Sequence, residues 1–551
     1  MKAKPKTTKA PQYVLGVDFG TLSARALLVD VKTGQTRATA VAAYKHGVIE
    51  RSLPGTAAPL PADTALQHPQ DYLDALEKTA REAISKAGAG AESIVGIGID
   101  FTCCTVLPTT RDGVPLCFDA KWRKNPHAWA KLWKHHAAQP QADAINRAGT
   151  ARDEEFLKIY GGKYSSEWLF SKLLETLQRA PSVYGGMERF IEAGDWMVWQ
   201  LCGEEKRGLS AAGFKAMRVC GQNGDAFPGA DFLAALDPGL RDSVKTKLDG
   251  SYLKPGEPAG GLTPAMARRL GLREGTPVAV ANIDAHAGVA GCGVTTPGKL
   301  VIIMGTSSCH LLLSEKNQAI QGVCGVVKDG VVPGLFAYEA GQAGVGDSFA
   351  WFVERLSPKG LTHEQLAQEA AKLKPGQSGL LALDWWNGSR FLVDADLSGV
   401  IVGLKLSSEP AAIYRALIEA TAFGTRRIID AFAGKGIAVD EVIVCGGLTQ
   451  NELLLQIYAD VTGRTLKVAA SDQASALGSA VHAAVAAGVY KDLSEAASKM
   501  TEAPNRKYVP NKKARAVYDA LYAEYLRLHA WFGDDSQGVL KRLKTIAARA
   551  A

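Results

Sequence analysis

The stretch YVLGVDFGTLSARALLVDV, Tyr13 to Val31, reads as two strands joined by a tight turn. Its first half is apolar and β-branched up to Asp18, and Phe19-Gly20-Thr21 then breaks the run. The turn offers what a phosphate needs: Gly20 with no Cβ in the way, hydroxyls on Thr21 and Ser23, backbone amides, and the Arg25 guanidinium. Ionised Asp18 has no proton to give a phosphate, so its natural partner there is a hydrated Mg²⁺, which keeps waters and takes few protein carboxylates. Taken alone, the motif reads first as a hairpin shaped by its polar residues, and only the further loops along the chain reverse that reading.

The chain around this hairpin reads as a β-meander. A turn at Lys32-Thr33-Gly34-Gln35 leads to a third strand near TRATAVAAY, and a helix follows from about Pro69 to Lys86, where Tyr72, Leu73, Leu76, Ala80 and Ile84 recur at helical spacing. SIVGIGIDFT, Ser93 to Thr102, is too apolar to have a wet face and predicts a central strand covered by helices. The same order returns later: KLVIIMGTSSCHLLLS, Lys299 to Ser314, a long helix around Ala411 to Ala433, and the strand EVIVCGG. After Gly446-Gly447, a helix, the strand TLKVAA and a small-residue helix in SALGSAVHAAVAAG give a parallel βαβ alternation. This duplication predicts an α/β protein of two related lobes. The expected organisation is a basic tail over 1–12, a first lobe over 13–285 with irregular insertions at about 119–275, and a second lobe over 286–551.

A chain of 551 residues exceeds one hydrophobic core, and 47% hydrophobic residues with 57 glycines suit a globular α/β protein. The net charge of +7 owes much to four lysines among the first nine residues, so the body is nearly neutral. That argues against a nucleic-acid or anionic-membrane surface. No apolar run approaches a membrane span, and nine cysteines without a CxxC pair fit reduced thiols, so a cytoplasmic protein is expected. Trp122, Trp129 and Trp133 lack an accompanying basic patch and are read as structural, and His135-His136 has no metal-ligand spacing on a helix.

The GVDFGT hairpin, the GTSS hairpin and the Gly-Gly-x-x-x-Asn turn at Gly446 resemble, in this order, the two phosphate loops and adenosine loop of the actin, hexokinase and heat-shock-chaperone superfamily. YSSEWLFSKLLETL, GLKLSSEPAAIYRALIEATAFGTR and ANIDAHAGVAG narrow the resemblance to the FGGY carbohydrate kinases. NPHAWAKLWKHHAAQPQAD, VVPGLFAYEAGQAGVGDSFAWF and VAASDQASALG resemble the ribulokinase branch of bacterial L-arabinose catabolism, from Tyr13 to about Ala530. The resemblance implies two ribonuclease H-like lobes around a cleft, and ATP-dependent phosphorylation of L-ribulose or D-ribulose at its 5-hydroxyl. Another FGGY kinase, acting on xylulose, a polyol or glycerol, is the alternative; an actin-like or chaperone-like ATPase ranks far below.

Residue by residue, the resemblance implies that Gly305, Thr306 and Ser307 approach the terminal phosphates opposite Gly20, Thr21, Ser23 and Arg25. Gly446 and Gly447 would let the purine lie on bare backbone, and Asn451 matches an adenine-side contact, a helix cap being its plain alternative. Asp284 is the implied general base, with His286 a chemical rival better read as a packing residue. Cys103, through its backbone, with Lys215, Asp284 and Glu339, is implied to hold a ketopentose. ATP and Mg²⁺ are the expected cofactors; nucleic acid and membrane are not expected partners, and a homodimer is left open.

Overall fold

The computed structural model describes residues 11–220, 226–534 and 536–550; most of the expected basic tail lies outside them. The opening hairpin forms as expected: strand Tyr13–Phe19 pairs antiparallel with Ser23–Asp30, which pairs with Thr36–Ala43. Ile94–Phe101 lies parallel to the first strand on its other side, followed outward by Pro277–Ala279 and Pro258–Gly261. Helix Pro69–Ala87 covers this sheet with Tyr72, Leu76, Ala80 and Ala83, and ends on Gly88 in the left-handed conformation.

The second sheet repeats this plan strand for strand. Lys299–Met304 pairs antiparallel with Ser308–Ser314, and that with Phe336–Gln342; Glu441–Cys445 runs parallel to Lys299–Met304, then come Leu466–Val468 and the antiparallel edge Arg506–Tyr508. Gly325–Lys328 extends the far edge. Long helix Pro410–Ala433 buries Leu417, Ile418, Phe423 and Phe432.

The stretch 119–275, expected to be irregular, carries several short helices, among them Leu169–Arg179, Ala193–Cys202 and Leu209–Lys215. Its last part supplies the edge strand Pro258–Gly261 of the first sheet. Glycines and prolines between short periodic runs hid these elements from a reading that looks for long ones.

The lobes meet on two helices packed nearly backbone to backbone. Helix Asp284–Gly291 lies against Ala474–Ala486, which also covers strands Tyr13–Phe19 and Ile94–Phe101 of the first lobe. A Cβ on Gly478 would collide with the Ala287 carbonyl, and one on Gly98 with the Ser479 carbonyl. The small residues in ALGSAVHAA are therefore required by close approach, and the catalytic candidates hang from this seam.

Candidate functional site

Asp18 closes strand Tyr13–Phe19 and sits directly beside Asp100, the matching residue of the parallel strand Ile94–Phe101. The next residues, Phe19 and Phe101, stack with centroids 5.1 Å apart and rings 10° from parallel. Asn282–Ile283 adds to the same strand, with Asn282 opposite Asp100, and delivers Asp284 as the first residue of its helix. Three acids from three segments thus converge on one end of the sheet.

Burial pushes the Asp18 carboxyl up, against the lowering pull of Asp100 and of Arg25, whose Nη1 lies 3.7 Å from Asp18 Oδ2. Burial and then the charge of Asp18 push Asp100 well above the carboxylate range. Asp100 is fully buried; its Oδ2 accepts a 2.6 Å hydrogen bond from Ser479 across the lobe seam, while Oδ1, beside Asp18, finds no hydrogen-bond donor among the described residues. Asp284 is raised to about 7, by burial first and the Asp18 charge second, although its Oδ1 accepts the Ala285 N–H at 2.7 Å. Neighbouring acids in low dielectric resist simultaneous ionisation unless a cation joins them. The all-oxygen donors and the orphaned Asp100 oxygen fit a hard divalent ion such as Mg²⁺.

The expected sugar contacts also come together. Lys215, at the end of helix Leu209–Lys215, donates to Glu339 Oε1 at 2.7 Å, and both residues are buried. Lys215 is therefore not a solvated surface lysine, while Glu339 is a salt-bridged glutamate. His286 joins them: Ser210 donates to its Nδ1 at 2.7 Å, and its Nε2–H donates to Glu339 Oε2 at 2.9 Å. Both ring nitrogens of His286 are engaged and burial lowers its pKa, which places it as a connector between Ser210 and Glu339. Cys103 is half-buried beside this group, and its neighbour Cys104 holds φ +62°. The Arg390 guanidinium covers the same face of strand Phe336–Gln342 as Glu339, above Gly341.

The two phosphate-loop candidates are formed turns. Gly20 N–H bonds Ser23 O at 3.0 Å, Tyr44 donates to Gly20 O, and Trp133 Nε1 donates to Thr21 Oγ1 at 3.0 Å. Trp133 thus braces the first loop. Gly305 N–H bonds Ser307 O at 2.9 Å, and the backbone of 345–347 donates to the carbonyls of Gly305 and Thr306. Arg25 is partnered by Asp18 and balances that acid. Gly446 has φ +98°, and a Cβ there would strike the Met304 carbonyl at the end of the second phosphate-loop strand. Gly447 faces open space, as a backbone platform for a ring requires. Asn451 caps helix Glu452–Thr462, its Oδ1 accepting Leu454 N–H at 3.1 Å. The capping alternative is therefore realised, and only its amide N–H groups are left to reach a base.

Asp100, Ser210, Ser479 and Arg390 were not singled out in the sequence. For Asp100 a signal existed: GVDF and GIDF are the same phrase at the ends of two strands. Elsewhere, His46, His68 and Asp71 cluster at metal-like spacing, but Asp71 accepts both the backbone and the ring N–H of His46, and His68 caps a helix. Among the described residues no helix is long and apolar enough to cross a membrane.

The model of the FGGY family of carbohydrate kinases, C-terminal domain, matches residues 300–487. A ribulokinase from Halalkalibacterium halodurans is 49% identical over 556 residues, covering 98% of this chain and 98% of that protein. One from Mycolicibacterium smegmatis is 47% identical over 553 residues, covering 98% and 97%. Among solved structures, a gluconate kinase from Lactobacillus acidophilus superposes with a TM-score of 0.79 at 17% identity, covering 95% of this chain and 99% of its own. A xylulose kinase from Rhodospirillum rubrum gives 0.76 at 24% identity, covering 94% and 98%. Those two share the two-lobed fold, while the closer sequence relatives span the site from end to end. The chain belongs to the FGGY family of carbohydrate kinases.

Proposed function

We propose that this chain transfers the γ-phosphoryl group of ATP to the 5-hydroxyl of ribulose, giving ribulose 5-phosphate and ADP. The reading is supported by the ribulokinase names of relatives at 47–49% identity over nearly the whole chain. The observation that carries it is Asp284, held at the lobe seam with its carboxyl raised to about 7, near the buried Lys215–Glu339–His286 group.

Phosphoryl transfer needs positioning and charge neutralisation more than covalent chemistry. Lys215 and Glu339 present an ammonium and a carboxylate to neighbouring oxygens of the sugar, and the Cys103 backbone adds a polar contact. Such a site rejects analogues lacking a hydroxyl, because its buried groups would then stay unpaired. Asp284 accepts the hydroxyl proton as the oxygen attacks phosphorus. The turns at Gly20–Ser23 and Gly305–Ser307 donate N–H and O–H groups to the phosphates, and the Gly446-Gly447 backbone supports the purine. Asp18 and Asp100 are the residues that would hold Mg²⁺, which when bound neutralises phosphate charge.

The test is a coupled ADP-release assay over ribulose, xylulose, glycerol and polyols. Ribulose is expected to give the highest kcat/KM, and Asp284→Asn to lower kcat by about 10²-fold or more, in line with general-base contributions, while ATP binding persists. Equal turnover of glycerol or xylulose would favour another FGGY kinase, and sugar-independent ATP hydrolysis would refute the kinase reading.

A further inference from the structure

The motif YSSEWLFSK carries a row of residues four apart, Tyr164, Trp168 and Lys172, that reaches Lys215 and Cys104, the neighbour of Cys103. Tyr164 donates its hydroxyl to the Lys215 carbonyl at 2.6 Å and accepts the Phe170 N–H. The Trp168 ring faces Lys215 Nζ, 5.3 Å from its centroid. Lys172 is fully buried at 0% exposure. Its ammonium donates to the Cys104 carbonyl at 2.6 Å and to the Leu132 carbonyl at 2.7 Å, and no carboxylate hydrogen-bonds to it among the described residues.

A buried ammonium whose hydrogen bonds go to carbonyls, with Glu192 and Glu167 only as nearby charges, is an expensive way to fill space, and a methionine would pack there at lower desolvation cost. What it holds explains its presence. Cys104 has φ +62°, the left-handed region that a residue with a Cβ avoids. Such a conformation persists only where its surroundings over-determine it. Around Cys104 they do: Lys172 takes the carbonyl, Glu192 faces the amide, and the next residue's carbonyl accepts Ala193 N–H at 2.7 Å. Thr102 and Thr105 join their hydroxyls at 3.1 Å across the base of the same turn. The turn so fixed sets the direction of the Cys103 peptide.

We propose that Lys172 is a positioning residue for the sugar: its ammonium holds Cys104 in the left-handed conformation and thereby aims the Cys103 backbone into the ketopentose pocket, while Tyr164 and Trp168 fix Lys215 on the other side. This rests on the ribulose reading above and deepens it, because it names what shapes the pocket of that same site. Lys172 also holds the Leu132 carbonyl, one residue before Trp133, which braces Thr21, so KM for ATP is the control against which a sugar-selective effect is read.

Steady-state kinetics with ribulose and ATP varied in turn test it. Lys172→Met is expected to raise KM for ribulose at least tenfold while KM for ATP stays within about twofold and urea unfolding remains cooperative. Adding Cys104→Gly, which adopts the left-handed backbone freely, is expected to recover most of the lost ribulose affinity, an effect that loss of a merely structural lysine would not show. Cys104→Val leaves the lysine in place but opposes the left-handed backbone; it is expected to reproduce the ribulose-selective defect and decides the matter should Lys172→Met not fold. The proposal is overturned if the folded variant among these leaves KM for ribulose within twofold of the parent, or if Cys104→Gly restores nothing. Lys215→Met runs alongside. A parent enzyme inert toward every ketopentose would overturn the ribulose reading, whereas an active parent with Lys215→Met impaired and Lys172→Met normal removes this inference alone.

Discussion

Glu339→Gln removes one charge from the centre of the site and keeps its shape. Burial pushes the Glu339 carboxyl up, but the Lys215 ammonium and the His286 N–H outweigh it and hold it at about 2, against an ordinary 4.5. A depression of about two and a half pH units corresponds to roughly 3 kcal/mol of folding stability. A separate argument agrees: neutralising one partner of a buried pair strands the other charge, at about 3–5 kcal/mol. The Lys215 and Glu339 side chains are 3% and 11% exposed, so water screens the pair little. Because the folded-state value lies below the unfolded one, the contribution is complete above about 4.5 and is lost as pH falls toward 2. Urea unfolding of parent and variant, followed by tryptophan fluorescence across a pH series, should therefore show a constant gap between pH values of about 8 and 5.5 that narrows below about 4.5. The double variant Lys215→Met/Glu339→Gln should regain most of the stability, since no uncompensated charge stays buried, yet remain defective toward ribulose. A Glu339→Gln protein within about 0.5 kcal/mol of the parent at neutral pH, the range of ordinary surface changes, or a gap that widens on acidification, would refute the reasoning.

Activity should fall as pH drops through about 7, since Asp284 must be ionised to accept a proton and its carboxyl is raised to about 7; a pH profile of kcat/KM for ribulose checks this, and Asp284→Asn should flatten that limb along with the rate. Gly446→Ala should raise KM for ATP at least tenfold and destabilise the fold, because φ +98° and the Met304 carbonyl both exclude a Cβ, whereas Gly447→Ala, facing open space, should affect ATP without changing the unfolding midpoint. Asp18→Asn should weaken Mn²⁺ binding, read by water-proton relaxation, more than Asp100→Asn does, and both should raise the Mg²⁺ concentration giving half-maximal rate.

The parts of this molecule legible in its sequence are those written locally. A strand, a glycine turn and a return strand lie within twenty residues of one another, so both hairpins and their duplication could be read from periodicity and punctuation. The pairing of Lys215 with Glu339 spans 124 residues, and that of Asp100 with Ser479 spans 379. No spacing rule reaches so far; Lys215 and Glu339 were found through family resemblance, and Asp100 and Ser479 were not found. Asn451 shows the converse, a residue in a family position whose oxygen also performs the local task its place at a helix start predicts. The short helices of 119–275 escaped because glycines and prolines divide them into runs too short for a long periodic signal, although Ala193–Cys202 and Leu209–Lys215 pack on strands of the two sheets.

The long-range bonds share one property that bears on how the enzyme works. Ser479 to Asp100, Lys215 to Glu339 and Ser210 to His286 each join segments far apart in the chain, and two of them end on buried acids of the candidate site. The glycines of the seam let helix Ala474–Ala486 lie directly on strands Tyr13–Phe19 and Ile94–Phe101, so a rotation of one lobe on the other must carry Ser479 relative to Asp100. That helix follows the strand Leu466–Val468, which lies beside the strand leading into Gly446. The same helix therefore links the strands of the second sheet to Asp100, the acid beside Asp18. The small residues of that helix are thus constrained twice, by close packing on the first sheet and by the need to bring Ser479 within hydrogen-bond reach of Asp100.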